Sequence, residues 1–356
     1  MSRLRRSAGS PSRSSLPQAR SAAVEQRGAA GWLRVSVQEH VTSLWGRWWP
    51  LPLLLLPAYS LLMLLLGDLR GEHLGITLTV FILAVVGPRT KRFLVDASPY
   101  FAVALGYDLV RYARPVFVSA DRVLACGLRD AELALFGVGN GHTPGDWLQG
   151  HHLPGLDLFF AVPYTVFIYV AFSYAAYLYV VDRRRMRRFL WSFAIANYIS
   201  FAVWMILPAA PPWYIRSAGC VVDMSAAPSA AGLLRVDHML GISYFQTFYG
   251  RSASVYGAMP SMHCAYPVLG LLTAWKAAGW KTRPLHLFYS VWMFGAALYL
   301  DHHWILDAMG GWLVAVVAVY LSGKLNAWFE RSAPPAAGAR GASEQSAPRG
   351  GAHSAA

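Results

Sequence analysis

Eight apolar segments occupy most of the chain between residues 50 and 323, and they restrict the fold more than any other feature of the sequence. These segments are 50–67, 74–87, 93–110, 156–181, 189–208, 261–279, 285–300 and 304–323. A helix crosses the hydrocarbon core of a bilayer with about 20 apolar residues, in a range of roughly 17–25. Only 14% of the 356 residues are charged, against about 25% in an average soluble domain. The sequence therefore predicts an all-α fold: a polytopic membrane helix bundle with six to eight transmembrane helices.

The segments differ in how well they fit a single crossing. Four of them have the length and composition of spanning helices: 156–181, 189–208, 261–279 and 304–323. The segment 50–67 comes close, whereas 74–87 and 285–300 are short. The segment 93–110 holds two aspartates and a proline, so it either crosses the bilayer or lies in the interface. The sequence leaves these alternatives open.

The two ends of the chain differ in composition from this apolar core. Ser, Ala and Arg are frequent near the N-terminus, and Ser, Ala, Pro and Gly near the C-terminus, which is typical of disordered segments. The first apolar run begins only at Pro50, later than in a cleaved signal peptide. We therefore expect a disordered basic cytosolic tail over 1–45, a membrane-embedded domain over 46–330 and a disordered tail over 331–356.

Basic residues between the apolar segments indicate the orientation of the chain in the membrane. Lys and Arg accumulate in cytosolic turns, and here they lie at 182–188, 276–283 and 324–331. This pattern places two long regions, 111–155 and 209–260, and the turn 300–304 on the non-cytosolic face. Because such turns and the tails hold many of the basic residues, the net charge of +13 indicates topology rather than nucleic-acid binding.

Cys126 and Cys220 lie in the two long regions. They can form a disulfide if both regions face an oxidising compartment, and the sequence leaves this open. Cys264 begins an apolar segment, where we expect it to serve packing. None of the three has the spacing of metal ligands.

Two polar islands interrupt the apolar sequence, at 257–263 and at 301–307. If each of the two apolar segments between them crosses the bilayer once, His263 and His303 meet at one membrane surface. Ionisable groups at such positions usually mark a functional site. Asp307 follows His303 by four residues, so on a helix the two share a face and the carboxylate can fix the imidazole tautomer. The alternative is a solvated pair at a helix end.

Together the two islands resemble the second and third motifs of the type 2 phosphatidic acid phosphatase superfamily, P-S-x-H at 260–263 and H-x-x-x-D at 303–307. The resemblance is closest to the branch that includes fungal inositol phosphorylceramide synthase and its bacterial relatives. A doubled histidine followed by Trp304 supports this assignment. So does the A-P-P-W-Y stretch at 210–214, and so do the two alanines at 296–297, where other branches have Ser-Arg.

The resemblance implies a role for each residue of the two islands. His303 is the nucleophile that forms a phosphohistidine, and Asp307 orients and activates it. His263 protonates the leaving oxygen and then deprotonates the incoming hydroxyl or water. Ser261, after a proline at a predicted helix N-terminus, binds phosphate oxygens, as free backbone N–H groups do there. The resemblance implies no metal or other cofactor.

The first motif of the superfamily is only half present. Arg114 and the following proline match it, but Tyr107 stands in the lysine position; the version typical of the branch is closer to Tyr107-Asp108-x-x-Arg111. We therefore expect Arg111 to contact phosphate, with Arg114 as the second candidate. An interfacial aromatic belt is an alternative explanation for the two aromatic residues among the further candidates for substrate contact. These are Trp213, Tyr214, Arg216 and Arg251.

The expected function is that of an integral membrane lipid phosphotransferase, which moves a phospho-headgroup such as phosphoinositol between lipids. If water is the acceptor instead, the enzyme is a lipid phosphate phosphatase acting on phosphatidic acid-like or polyprenyl phosphates. A transporter is disfavoured because the islands fall at helix ends and no matched pair of broken helices is evident. The expected partners are membrane lipids and the bilayer, without nucleic acid. The sequence does not indicate an oligomeric state.

Overall fold

The computed structural model describes residues 29–277 and 279–332. Within these residues the regular structure is helical, apart from two isolated parallel bridges that join Ala209 to Leu124 and to Gly257. The prediction of an all-α, polytopic membrane protein is confirmed. Most of the two predicted tails lies outside the described residues.

The chain divides into two compact units, of which the first ends at Ala97. It contains helices α1 (Ala29–Trp45), α2 (Pro50–Leu65), α3 (Gly71–Val85) and the start of α4 (Pro88–Phe117). Helix α1 occupies residues 29–45, which the sequence analysis assigned to the disordered tail. This difference has a local cause: Val41 is fully buried, and Lys91 Nζ donates a hydrogen bond to the Leu44 carbonyl at 2.6 Å.

The second unit begins at Ser98, within α4. Its remaining helices are α5 (Cys126–Phe136), α6 (Pro144–Gly150), α7 (Pro154–Val181), α8 (Arg183–Ile206), α9 (Pro212–Ala218), α10 (Leu233–Leu240), α11 (Tyr244–Tyr249), α12 (Met262–Ala274), α13 (Arg283–Tyr299) and α14 (Ile305–Ser332). The long helices α7, α8 and α14 form a bundle with α12 and α13, and the part of α4 from Ser98 onward packs against α8.

Helix α12 lies at the centre of this bundle and contacts α7, α8, α13 and α14. Small buried residues permit the close packing, among them Ala265 on α12 and Ala315 on α14. At Gly311 the approach is closer still, because a Cβ placed there would overlap the carbonyl oxygen of Ser261. The two helices that begin at the polar islands are therefore held backbone to backbone.

Among the residues that the structure describes, four helices are long and apolar enough to cross a membrane by length and composition, namely α4, α7, α8 and α14. A fifth is added if the bent pair Val37–Trp48 and Pro50–Leu65 is one span. The sequence predicts six to eight crossings; besides the helices that pass this test, α3 (Gly71–Val85) and α12 (Met262–Ala274) are apolar but shorter. The segment 261–279, expected to span, forms a helix of only 13 residues, about 20 Å long at 1.5 Å per residue. The segment 93–110 lies inside the 30-residue α4, which favours a crossing over an interfacial position.

The two long regions predicted between the apolar segments fold into short helices. Helices α5 and α6 come from the first region, and α9, α10 and α11 from the second. A disulfide between Cys126 and Cys220 links the regions, which answers the question of pairing that the sequence left open. A backbone hydrogen bond from the N–H of Ala210 to the Leu124 carbonyl joins them further, and the indole N–H of Trp304, just before α14, donates to the Ala210 carbonyl.

Candidate active site

The two histidines of the polar islands lie in direct contact. His263 is in the first turn of α12, and His303 lies two residues before α14 begins. The Nδ1 atom of His263 is 3.1 Å from Nε2 of His303. The ring of His303 is buried and that of His263 is half-buried. The structure thus brings together the residues that the sequence placed at one membrane surface.

The hydrogen bonds of His303 define its tautomer. Its Nδ1 is 3.1 Å from the carbonyl oxygen of Ala258 and 3.5 Å from a carboxylate oxygen of Asp307. A carbonyl oxygen can only accept a hydrogen bond, so Nδ1 carries the proton. Nε2 of His303 therefore presents a lone pair, and this lone pair faces His263. A neutral imidazole with this orientation is a competent nucleophile.

Asp307 is fully buried and lies in the first turn of α14. One of its carboxylate oxygens accepts a hydrogen bond from the backbone N–H of Trp304 at 3.0 Å. The expectation that His303 and Asp307 share a helix face was wrong in its geometry, because His303 precedes the helix. Asp307 is the third residue of α14, and its carboxylate points back toward the N-terminus of the helix, as the corresponding residue of a capping box does. In this position it lies near the ring of His303.

A second carboxylate, Glu132 of α5, caps the same helix. Its two oxygens accept hydrogen bonds from the backbone N–H groups of Ile305 at 2.9 Å and Leu306 at 3.2 Å. Glu132 is only 1% exposed, and burial raises the pKa of its carboxyl. Its role could not be predicted, since a single glutamate in the short segment 126–136 carries no signal for a contact more than 170 positions away.

Ser261 is the N-cap of α12, as the Pro-Ser pattern predicted. Its hydroxyl accepts a hydrogen bond from the backbone N–H of Cys264 at 3.3 Å, and its own N–H donates to the Asp307 carbonyl at 2.9 Å. Ser261 is fully buried. It therefore ties the start of α12 to the first turn of α14, and its hydroxyl proton remains available to a phosphate oxygen.

Aromatic side chains surround His263. Tyr164 of α7 stacks on its ring, with centroids 4.3 Å apart and planes 16° apart, and Phe167 lies 4.6 Å away. The hydroxyl of Tyr249, on α11, is 3.4 Å from Nε2 of His263. The sequence analysis named none of these three. Their contacts span distant parts of the chain, and no local motif marks them.

His302 is adjacent to the proposed nucleophile but has different contacts. Its Nε2 donates to the carbonyl oxygen of Ala230 at 3.1 Å, and its ring lies 5.0 Å from Tyr164 and 4.9 Å from Tyr249. Burial lowers the pKa of His302 to about 3. A neutral ring therefore fills this position beside the two catalytic candidates.

Arg111, a predicted phosphate ligand, contacts the backbone of Arg251, a candidate for substrate contact. On α4, Arg111 donates from Nη2 to the backbone carbonyl of Arg251 at 2.9 Å. One turn earlier, the hydroxyl of Tyr107 accepts from the backbone N–H of Ala253 at 3.3 Å. This places Arg111 at the segment that follows Tyr249, whereas Arg114 lies in the last turn of α4.

The structure gives Arg216 partners within the protein. Its Nε and Nη2 bind both carboxylate oxygens of Asp301 at 3.0 and 2.9 Å, and its Nη1 binds Asp146 at 2.8 Å. Asp301 begins the turn that carries His303 and has a positive φ of 62°. These bonds fix Asp301 and so the turn that carries His303. The described contacts of Arg216 do not include His263 or His303.

The two aromatic candidates also have structural contacts. Tyr214 is 2% exposed, and its hydroxyl donates to the Val221 carbonyl at 2.9 Å. The backbone N–H of Trp213 donates to the Asp301 carbonyl at 3.1 Å. The A-P-P-W-Y stretch therefore packs against the catalytic turn; headgroup contact by these side chains stays a prediction.

Comparison with known families identifies the fold that carries this site. The family model described as the PAP2 superfamily matches residues 134–321, more than half of the chain and the part that holds both histidines. The chain belongs to the PAP2 superfamily. As the two motifs predicted, it is an integral membrane enzyme of this phosphotransferase and phosphatase superfamily.

Its relatives within the PAP2 superfamily are synthases. The chain is 33% identical to the phosphoinositol dihydroceramide synthase of Bacteroides thetaiotaomicron, over 68% of this chain and 81% of the relative. It is 31% identical to the catalytic subunit of inositol phosphorylceramide synthase from Saccharomyces cerevisiae, over 46% of this chain and 41% of the relative. The Candida albicans synthase is 29% identical, over 45% and 35%. The chain therefore spans about two fifths of the fungal proteins it matches. No solved structure matches it.

Proposed function

We propose that this PAP2-superfamily enzyme transfers phosphoinositol from a glycerophospholipid to the hydroxyl group of a ceramide-like lipid, through a phosphohistidine on His303. The observation that carries the proposal is the orientation of this ring. Nδ1 is bonded to Ala258 and faces Asp307, while Nε2 faces the proton donor His263. The choice of phosphoinositol and of a ceramide-like acceptor is supported by the names of the relatives that span most or part of the chain.

In the first half-reaction, the Nε2 lone pair of His303 attacks phosphorus and a P–N bond forms. The P–O bond to the diacylglycerol group breaks, and protonated His263 donates its Nδ1 proton to the leaving oxygen. The ring of His303 gains positive charge, which the nearby carboxylate of Asp307 and the carbonyl of Ala258 stabilise.

In the second half-reaction, the neutral Nδ1 of His263 accepts the proton of the acceptor hydroxyl. The hydroxyl oxygen attacks phosphorus, the P–N bond breaks, and neutral His303 and protonated His263 are restored. Water in place of the lipid hydroxyl converts the same site into a phosphatase. Transfer is favoured over hydrolysis because the relatives in this branch are named as synthases.

We assign the phosphate contacts to Ser261 at the start of α12 and to arginines of α4 and of the segment after α11. Ser261 donates from its hydroxyl, and Arg111 and Arg251 lie where the α11 segment approaches α4. Arg114 is the next basic residue along α4. A phosphate held against two imidazoles requires such fixed positive charge.

The experiment that tests this function uses purified protein in detergent with EDTA. The lipid mixture holds labelled phosphatidylinositol, phosphatidylglycerol and phosphatidic acid, with ceramide, dihydroceramide and diacylglycerol as acceptors, and products are identified by mass spectrometry. We expect an inositol phosphoryl sphingolipid and diacylglycerol in equal amounts. Free inositol phosphate, or inorganic phosphate from phosphatidic acid, without a new lipid would contradict transfer and indicate hydrolysis.

We also propose that the active site faces the non-cytosolic side. The disulfide between Cys126 and Cys220 lies in the outer regions next to the site, and disulfides persist in oxidising compartments. The basic turn that starts α8 at Arg183 lies at the opposite end of that helix from these regions, as the positive-inside rule expects.

Thiol labelling in intact cells tests this orientation. We expect a membrane-impermeant maleimide to label Cys126 and Cys220 only after an impermeant reductant is added. The matched control is Arg187→Cys with Cys126 and Cys220 replaced by serine; it adds a thiol at the cytosolic turn, which should react only after lysis. If Cys126 and Cys220 are labelled only after the cells are lysed, the site lies on the cytosolic face instead.

A further inference from the structure

The second ring nitrogen of His263 has a hydrogen-bond partner outside the signature motifs. Nδ1 of His263 faces the proposed nucleophile, and Nε2 lies 3.4 Å from the hydroxyl oxygen of Tyr249. Tyr249 is the last residue of α11, in the long region between α8 and α12. It is 7% exposed and belongs to the buried cluster that contains Tyr164 and Cys264.

A chain of hydrogen bonds determines which atom of His263 moves the proton. The Ala258 carbonyl requires the proton of His303 on Nδ1, so Nε2 of His303 has only a lone pair. Nδ1 of His263, 3.1 Å from that lone pair, must then be the donor of the bond between the rings. In both the neutral and the protonated form of His263, its Nε2 therefore forms its hydrogen bond with the hydroxyl of Tyr249.

We propose that Tyr249 is a positioning residue for the phosphoryl transfer. Its hydroxyl stays bonded to Nε2 of His263 throughout the reaction, so that Nδ1 is the atom that gives and takes the proton in both half-reactions. A hydroxyl group suits this task because it both donates and accepts. The hydroxyl accepts a hydrogen bond from Nε2–H when His263 carries protons on both nitrogens, and also when Nδ1 has released its proton. When the only proton of a neutral His263 is on Nδ1, the hydroxyl donates a hydrogen bond to Nε2. The assignment rests on the proposed function, which makes His263 the proton donor.

The surroundings of His263 make this hydroxyl difficult to replace. Tyr164 covers one face of the ring, and Phe167 lies against it as well. If the hydroxyl is removed, the Nε2–H of protonated His263 loses its partner on a half-buried ring that packs against aromatic side chains. An unpaired charged donor costs more than an unpaired neutral one, so the loss affects the protonated form most.

The test compares Tyr249→Phe with a matched control, Tyr266→Phe. Tyr266 is on the same helix as His263, but its hydroxyl donates to Asn197 at 2.9 Å. In Tyr249→Phe we expect kcat to fall about tenfold with little change in KM, and the alkaline limb of the pH–rate profile to move to lower pH. The control should keep the wild-type profile. The other titratable groups that face His263 are Tyr164, His302 and His303, and Cys264 and Asp307 lie near Tyr164.

A readout that does not depend on turnover separates this proposal from the proposed function. The protonation of His263 can be followed by nitrogen NMR on protein with labelled histidine, with the signal assigned by its loss in His263→Gln. We expect its titration midpoint to move to lower pH in Tyr249→Phe and not in Tyr266→Phe. An unchanged midpoint in Tyr249→Phe contradicts the role of Tyr249 even if transfer is confirmed. Absence of any transferred headgroup in the wild type contradicts the proposed function, while the titration still decides whether Tyr249 holds His263.

If Tyr249→Phe does not fold, 4-fluorophenylalanine at position 249 provides the second variant. It keeps the ring and nearly the size of tyrosine, but its fluorine donates no hydrogen bond and is only a weak acceptor. We expect a smaller shift of the alkaline limb in the same direction. A profile identical to the wild type would overturn the proposal.

Discussion

Replacing His303 by alanine is expected to lower turnover by more than about 10⁴-fold while the protein remains folded. Among the contacts described for the site, Nε2 of His303 is the atom that presents a lone pair toward Nδ1 of His263. Without the imidazole no P–N bond can form, and proton transfer by His263 alone cannot replace a covalent step. Product formation from phosphatidylinositol and ceramide, measured by mass spectrometry, gives the rate.

A matched histidine provides the control for this variant. His286 is half-buried on α13, where its ring packs edge-on against Tyr174 with centroids 5.7 Å apart, and it lies in none of the contacts of the site. We expect His286→Ala to keep turnover within about threefold of the wild type, and both variants to unfold near the wild-type temperature in detergent. Turnover in His303→Ala comparable with that in His286→Ala would show that His303 is not the nucleophile.

Replacing Gly311 by alanine is expected to separate the two helices that carry the site. A Cβ at this position would overlap the carbonyl oxygen of Ser261, which belongs to the backbone and has no side-chain freedom to move away. Helix α14 must therefore shift, and the 2.9 Å bond from Ser261 N–H to the Asp307 carbonyl must lengthen. A displacement near 1 Å can lower catalysis by about 10²-fold, and overpacking costs about 1–3 kcal/mol of stability.

The neighbouring glycine offers a close control. A Cβ at Gly310 would meet a side-chain atom of Pro260 at 3.4 Å, which is an ordinary contact. We expect Gly310→Ala to retain turnover and a melting temperature near the wild type, since alanine also favours the helix by up to about 1 kcal/mol. Thermal unfolding and product formation are measured on both variants. If Gly311→Ala behaves like Gly310→Ala, the close approach of α12 and α14 does not position the site.

Much of the fold could be predicted because backbone polar groups must be satisfied within each segment that enters a membrane. The segment 156–181 corresponds to a helix from Pro154 to Val181, and 189–208 to one that ends at Ile206. The length of the segment 261–279 was less well predicted. Helix α12 ends at Ala274, two residues before Lys276, so the lysine marks this end better than the alanines that continue the segment to 279.

The site could be predicted where residues of one motif act locally, and not where they act across the fold. His263 and His303 lie in short polar islands that stand out from apolar surroundings. Tyr249 is one aromatic residue among many in its region, and its contact with His263 depends on how α11 packs. The ion pair of Arg216 could not be predicted either, because its carboxylate partner Asp301 lies 85 positions away, and substrate contact by Arg216 stays a prediction.

The most direct test of the central claim is to detect the covalent intermediate on His303. The purified protein is incubated with phosphatidylinositol in the absence of acceptor and quenched in alkali, under which phosphohistidine survives, and the peptide that contains His303 is analysed by mass spectrometry. We predict an added phosphoinositol group on His303 that disappears when ceramide is supplied before the quench. An adduct on a different residue, or transfer to ceramide at full rate with no adduct on His303 at any time, would contradict the account.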